Sequence, residues 1–256
     1  GLYAKGGQTV SIGRDAARGV GNHTATGVFI GYQAGMRVAS GSASVFTHVG
    51  WRAGFQMSGS NDFFGYSAGY GSVSSAPYGS GQQNVGIGTN ALYNLSTGDS
   101  NTAVGRSAGQ SVTTGTGNTL VGKSSGDAIT SAEYNTAVGV GSLGAMTTGG
   151  NNNTALGAFA ASSINDTDAI ENVAIGAYAG TGGSGALKRT VAIGVNALNS
   201  TGNADVIGAV AIGYNALTAA NNTNIDYSIA IGYTALQDLQ SGQHNVGIGF
   251  QALTAT

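Results

Sequence analysis

One glycine recurs along the whole chain at nearly constant intervals. It stands at Gly13, Gly31, Gly50, Gly65, Gly88, Gly105, Gly122, Gly139, Gly157, Gly176, Gly194, Gly213, Gly232 and Gly249. Most intervals are 17 to 19 residues, with one of 15 before Gly65 and one of 23 before Gly88. The residue in front is always apolar, from Ile12 and Ile30 to Ile231 and Ile248. Three residues behind comes Ala in twelve copies, or Ser125 and Ser142, and then a column of Gly, Ala or Leu. Turn pairs such as Thr97-Gly98, Thr114-Gly115 and Thr201-Gly202 separate the copies. A period this short leaves no room for a helix pair, and no copy carries a 3.6-residue apolar stripe. Each copy does hold a short alternating β-branched segment, such as Asn172-Val173-Ala174-Ile175. The pattern predicts an all-β chain, one turn of a parallel β-solenoid per copy, with a bend at the glycine. At about 4.8 Å per coil, fourteen coils would make a rod roughly 65–70 Å long.

Composition excludes several classes. The 256 residues include 46 Gly and one Pro; 8% are charged and 41% hydrophobic. Disorder calls for charge or proline, and collagen for glycine at every third position; neither holds here. A net charge of −2 offers no field for nucleic acid, and no apolar run reaches membrane-span length, so neither nucleic-acid binding nor membrane insertion is expected. With no Cys, there is no disulfide framework and no thiolate metal site. A start at Gly1 rather than Met is what a processed product or a fragment of a longer chain would show.

The columns also speak to assembly. If the aliphatic before each anchor and the Ala behind it fill the coil, the interior is thin. A solenoid so slender gains little apolar burial per ordered residue, so the chain is expected to oligomerise.

The copies NTAVGRSAG (101–109), NTAVGVGSL (135–143), NTALGAFAA (153–161), NVAIGAYAG (172–180), VAIGVNAL (191–198), VAIGYNAL (210–217), IAIGYTAL (229–236) and NVGIGFQAL (245–253) carry a family resemblance. They resemble the head repeat of trimeric autotransporter adhesins and, more closely, the NTAxGxxAG…TTG repeats of bacteriophage tail fibres and related bacterial adhesive fibres. The resemblance covers residues 83–256 well and 9–70 more loosely. It implies a parallel homotrimer of left-handed β-rolls forming a rod that displays or constitutes a binding surface. The coils here are longer than the roughly 14-residue adhesin-head unit, so their loops should bulge more.

Departures from the pattern single out residues 1–82 as a candidate binding head, with 83–256 as the regular solenoid. Between 23 and 80 lie Phe29, Tyr32, Phe46, Trp51, Phe55, Phe63, Phe64, Tyr66, Tyr70 and Tyr78, with the only Trp and the only Pro (Pro77). Phe29, His48 and Phe63 occupy a strand column that is Ala, Gly, Ser or Leu elsewhere. The position after the anchor, expected to face outward, carries Tyr32, Trp51 and Tyr66 on successive coils. Aromatic faces on a rigid wall suit the C–H faces of sugar rings, and Arg37, Arg52, Asn61 and Asp62 could take the hydroxyls. Tyr32, Trp51, Arg52, Tyr66, Tyr70 and Asn61 therefore form the candidate glycan platform. The bland alternative is that these aromatics fill a wider interior or a trimer seam. The segment 69–83 could be a binding loop or a plain surface excursion.

Other columns read as structural. Asn84, Asn101, Asn118, Asn135, Asn153 and Asn172 suit an amide ladder inside the stack. Thr102, Thr119, Thr136 and Thr154 resemble the Thr arrays of ice-binding solenoids, but Val173, Val191 and Val210 replace them, which fits a half-buried face. Asp166, Asp168 and Glu171 crowd one polar loop without a cleft or third partner, and His23, His48 and His244 lack metal-ligand spacing. No enzymatic activity, cofactor or metal is expected. The reading is an extracellular, cell-surface or virion fibre segment that recognises a bacterial or host cell surface, through a glycan first or else a surface protein, by multivalent non-catalytic binding. Its rivals are a purely structural shaft whose binding tip lies elsewhere and, behind that, a polysaccharide depolymerase.

Overall fold

A computed structural model describes residues 8–18, 26–37, 45–71, 79–165, 167–183, 185–199, 202, 204–218, 225–239 and 241–254. Among them there is no helix; the regular elements are short strands paired in parallel, the arrangement of a β-solenoid. The chain divides into two compact units, residues 1–131 and 132–256. The first stacks β1 (Thr9–Ile12), β2 (Thr26–Ile30), β3 (Val45–Val49), β4 (Asp62–Phe64), β5 (Val85–Ile87), β6 (Thr102–Val104) and β7 (Thr119–Val121) in chain order. The second contains β8 (Thr136–Val138), β9 (Thr154–Leu156), β10 (Val173–Ile175), β11 (Leu187–Lys188), β12 (Val191–Ile193), β13 (Val206–Ile207), β14 (Val210–Ile212), β15 (Ile229–Ile231) and β16 (Val246–Ile248). Here β8, β9, β10, β12, β14, β15 and β16 form the main ladder, and β11 pairs with β13 on another wall.

Each anchor glycine directly follows a main-ladder strand, and the register puts the repeat columns in line. Ile175, Ile193, Ile212, Ile231 and Ile248 are successive partners. The anchors need to be glycine for two reasons. Gly105 sits at φ +139°, a region closed to L side chains, and a Cβ there would come within 3.0 Å of the Gly122 backbone one coil on. Behind the anchor the chain turns through two further left-handed residues, the second and fourth. Asn90 and Leu92 (φ 58° and 50°) and Asn215 and Leu217 (both 52°) hold these places. Left-handed φ at Leu is strained, and repeated hydrogen bonds hold it: Leu92 N–H donates to the Ala108 carbonyl at 3.0 Å, and Leu217 N–H to that of Ala235 at 3.0 Å.

The interior corrects one sequence expectation. The aliphatic before the anchor does not fill the coil. Along every three-residue strand the middle residue is buried and its neighbours face out, so Ala174, Ala192, Ala211 and Ala230 point inward while Ile175, Ile193, Ile212 and Ile231 are only half-buried. Large inward volume comes from elsewhere. Met57, Leu95, Val112, Ile129, Met146 and Ile164, each seven residues behind its anchor, are buried. The strand's middle residue and the fourth residue behind the anchor then share the remaining space reciprocally. Where the strand offers Phe29, His48, Phe63 or Leu120, the other position is Gly35, Gly54, Gly69 or Gly126. Where it offers Gly86, Ala137, Ala192, Ala211 or Ala230, the other is Leu92, Leu143, Leu198, Leu217 or Leu236, all buried. A Cβ on Gly54 would strike the His48 ring, and one on Gly69 the Phe63 ring. Three coils are small at both positions, with Ala103 and Gly109, Ala155 and Ala161, and Ala174 and Gly180; at Gly109 the side chains of Leu92 and Leu120 reach in from the coils on either side.

The Asn column is a continuous internal ladder within each unit. The Asn84 amide nitrogen donates to Gly98 O at 2.9 Å, and its oxygen accepts from the Asn101 backbone N–H at 2.8 Å and side-chain amide at 3.0 Å. Asn118 repeats the pattern on Asn101, and in the second unit Asn153 on Asn135 and Asn172 on Asn153. Thr190 then continues it on Asn172. These buried amides are satisfied by the stack itself.

Candidate ligand-binding site

The strands β2, β3 and β4 are followed by Gly31, Gly50 and Gly65, and each anchor aims the following side chain outward. Tyr32, Trp51 and Tyr66 thus occupy one column on consecutive coils. Their rings stack: Tyr32 and Trp51 centroids are 6.0 Å apart with planes at 20°, and Trp51 and Tyr66 are 4.5 Å apart at 4°. Backbone bonds fix each member, since Arg52 N–H donates to Tyr32 O and Ser67 N–H to Trp51 O, both at 2.8 Å. Tyr66 is 52% exposed, and Tyr32 and Trp51 are half-buried. The outward expectation therefore holds for these three.

A second stack runs beside the first. Phe55 and Tyr70 lie 5.0 Å apart at 7°, and Tyr70 and Tyr93 4.9 Å apart at 6°. Phe55 is buried; Tyr70 and Tyr93 are half-buried. Arg52 joins the two stacks, with its guanidinium carbon 4.4 Å from the Trp51 ring centre and 5.3 Å from that of Phe55. Its Nε donates to Gln33 Oε1 at 2.8 Å, which sets the plane of the fork. Arg37 lies 5.7 Å from the Phe55 ring centre, and Arg14 5.9 Å from that of Tyr32. Burial first, then the neighbouring Tyr70, pushes the Tyr93 hydroxyl above its usual pKa; Arg52 pulls the other way and Tyr66 adds to the rise. The four groups share one local field.

The remaining sequence candidates separate. Asn61 is buried and belongs to the amide ladder: its nitrogen donates to Gly81 O at 2.8 Å and its oxygen accepts from Asn84. Its polar atoms are thus engaged within the stack of coils. Asp62 is exposed on the outer face of β4. Pro77, Tyr78 and the middle of the 69–83 segment lie outside the described residues, as do His23 and Asp166. Phe29, Phe46, His48 and Phe63 fill the interior, as the bland alternative expected for the aromatic-rich region. His48 is enclosed by Phe29, Phe46 and Phe63 at 5.3–5.5 Å, and neither ring nitrogen has a hydrogen-bond partner among the described residues. Burial lowers its pKa to about 3.

Two features escaped the sequence reading. Phe55 and Tyr93 join Tyr70 because the fifth residue behind each anchor also stacks coil on coil. The column after the anchor turns aromatic again in the second unit, where Tyr214, Tyr233 and Phe250 stack at 5.3 Å. Reading that column to its end would have revealed them. In the acid loop, Asp168 pairs with Lys188 at 3.3 Å and Glu171 with Arg189 at 3.0 Å, and Lys188 also meets Asp205 at 3.0 Å. Among the described residues no group of three His, Cys, Asp or Glu side chains could hold a metal ion. Comparison with models of known families, with curated proteins and with solved structures gave no match to this chain.

Proposed function

We propose that the chain is a segment of an extracellular or virion-borne homotrimeric fibre that binds a cell-surface glycan through the Tyr32–Trp51–Tyr66 column. The observation that carries the binding half is the stack itself: three outward rings, locked at coil spacing, in a part of the surface where no core demands them. Pyranose C–H faces pack on such rings, and Gln33, Arg52 and Tyr93 supply polar groups beside them. Each contact is weak, but three chains with several coils each make avidity large.

Support for assembly comes from the outer face of the main ladder. In the second unit Val173 and Ile175, Val191 and Ile193, Val210 and Ile212, and Ile229 and Ile231 present two parallel aliphatic rows. No charged side chain interrupts them. A surface repeating at strand pitch is covered at every coil only by a partner with the same pitch, and a second copy of the chain has it. The trimer, rather than a dimer, rests on the resemblance to fibre repeats.

The test is a glycan array with the intact protein, followed by Trp51→Ala and Tyr32→Ala. Binding that falls at least tenfold in Trp51→Ala supports the platform. Binding unchanged in both variants overturns it, and an array without any bound glycan favours the shaft.

A further inference from the structure

The ring stacks sit in a setting with an unbalanced charge. In the first unit the column after the anchor reads Arg14, Tyr32, Trp51, Tyr66, Thr89, Arg106, Lys123, so cations flank the rings along the stack. Beside it stand Arg37 and Arg52. Asp15 is engaged by Arg14 at 3.7 Å and Arg18 at 3.1 Å. Arg37, Arg52, Arg106 and Lys123 meet no carboxylate among the described residues. The same column in the second unit, Val140, Ala158, Ala177, Val195, Tyr214, Tyr233 and Phe250, holds no charge at all. Cations around rings are therefore a property of this one site.

Arg52 is also built rather than merely present. Stacking on Trp51 and Phe55 fixes its plane, Gln33 occupies Nε, and no described residue accepts from either Nη. The two outer nitrogens form a fork matched to a carboxylate or phosphate. Arg37 brings a second guanidinium to the Phe55 ring, 5.7 Å from its centre. A neutral sugar would leave these charges unanswered.

Resting on the glycan reading above, we infer that the ligand is an acidic glycan: its sugar rings stack on Tyr32, Trp51 and Tyr66, and a ring-borne carboxylate or phosphate is clamped by Arg52 and Arg37. Arg14 on one side, and Arg106 and Lys123 on the other, extend the attraction along the stacking direction, which suits an oligomer with an acid on successive sugars.

The experiment uses matched probes and the intact protein, with binding followed by calorimetry. Hexagalacturonate and a sialic acid tetramer are the carboxylate arm, a phosphorylated oligomannoside the phosphate arm. Their methyl esters or unphosphorylated parents are the neutral controls. At least one acidic probe should bind tenfold or more above its control. Arg52→Gln should remove that preference, lowering the affinity for the acidic probe at least tenfold more than that for its control, whereas Trp51→Ala should weaken both alike. Arg37→Gln, an exposed change, should lower the acidic probe's affinity three- to tenfold and guards against misfolding of the Arg52 variant. Equal binding of every acidic probe and its control overturns the acidic inference but leaves the platform standing. Loss of acidic binding in Arg106→Gln as large as in Arg52→Gln, with Trp51→Ala silent, means diffuse charge attraction and overturns it too. If no probe binds and Trp51→Ala changes nothing, the platform itself fails.

Discussion

His48 shows how a single residue can tie the fold to pH. Its ring is neutral in the interior, held to about 3 against 6.5 when unfolded, and faced by Phe29, Phe46, Phe63 and the backbones of Gly35 and Gly54. A depressed histidine pKa favours the deprotonated fold, so its stability is fully present above pH 6.5 and falls as pH drops toward 3. The loss should reach about 2 kcal/mol by pH 5, at ~1.4 kcal/mol per unit. His48→Phe matches the Phe29 and Phe63 coils, and its melting temperature should hold between pH 7 and 4 while that of the parent drops. Parallel curves for the two proteins would contradict this. The anchor glycines offer a second residue-scale check. Gly105→Ala meets both a forbidden φ and the Gly122 backbone, whereas at Gly249 (φ +126°) nothing lies within 4 Å of the added methyl. Chemical denaturation should find Gly105→Ala the worse by at least about 2 kcal/mol.

At the scale of the coil, volume is shared between two positions, and the partition can be exchanged. Leu120→Ala should cost about 2–5 kcal/mol, and Gly126→Leu should overpack against Leu120 and Ile129. Together they should cost clearly less than their sum, because the second leucine enters the space left by the first; strict additivity in a double-mutant cycle would argue against reciprocal filling. Asn101→Ala tests the ladder. It removes the acceptor for two Asn118 donors and the amide that meets Asn84 and Gly115, so a loss of at least about 2 kcal/mol is expected by thermal unfolding. The coil is also where legibility ended. Strands, anchors and the amide column could be read because each requires a residue type. Which face of Val173-Ala174-Ile175 lies inside could not, since all three residues are apolar and a period of two has no preferred phase. The deciding residues, Ile164 and Leu198, belong to turns and corners. Leu92 and Leu217 likewise carry no sign of their left-handed backbone; hydrogen bonds to the next coil impose it. On the binding side, Tyr32, Trp51 and Tyr66 were visible as a column, but Phe55 and Tyr93 became partners of Tyr70 only through stacking across coils.

For the whole molecule, the two outer aliphatic rows decide between a lone chain and an assembly. Ile193→Asp with Ile212→Asp puts two carboxylates on the outward face without touching the inward Ala192 and Ala211. Sedimentation should then show a shift from the oligomer to a folded species near the 25.1 kDa of one chain. An unchanged sedimentation coefficient, or a parent protein that is already monomeric, would place the seam elsewhere or abolish it. Binding should follow assembly: the monomeric variant should keep its intrinsic affinity for a short glycan in calorimetry while losing retention on glycan-coated surfaces.

Because each described main-ladder strand pairs with the strand of the coil before and of the coil after, a gene encoding this architecture can gain or lose whole periods by unequal recombination without unsettling the remainder. A duplicated stretch running from one anchor to the next would splice in as one additional step. Deleting half a period would throw every downstream side chain out of phase.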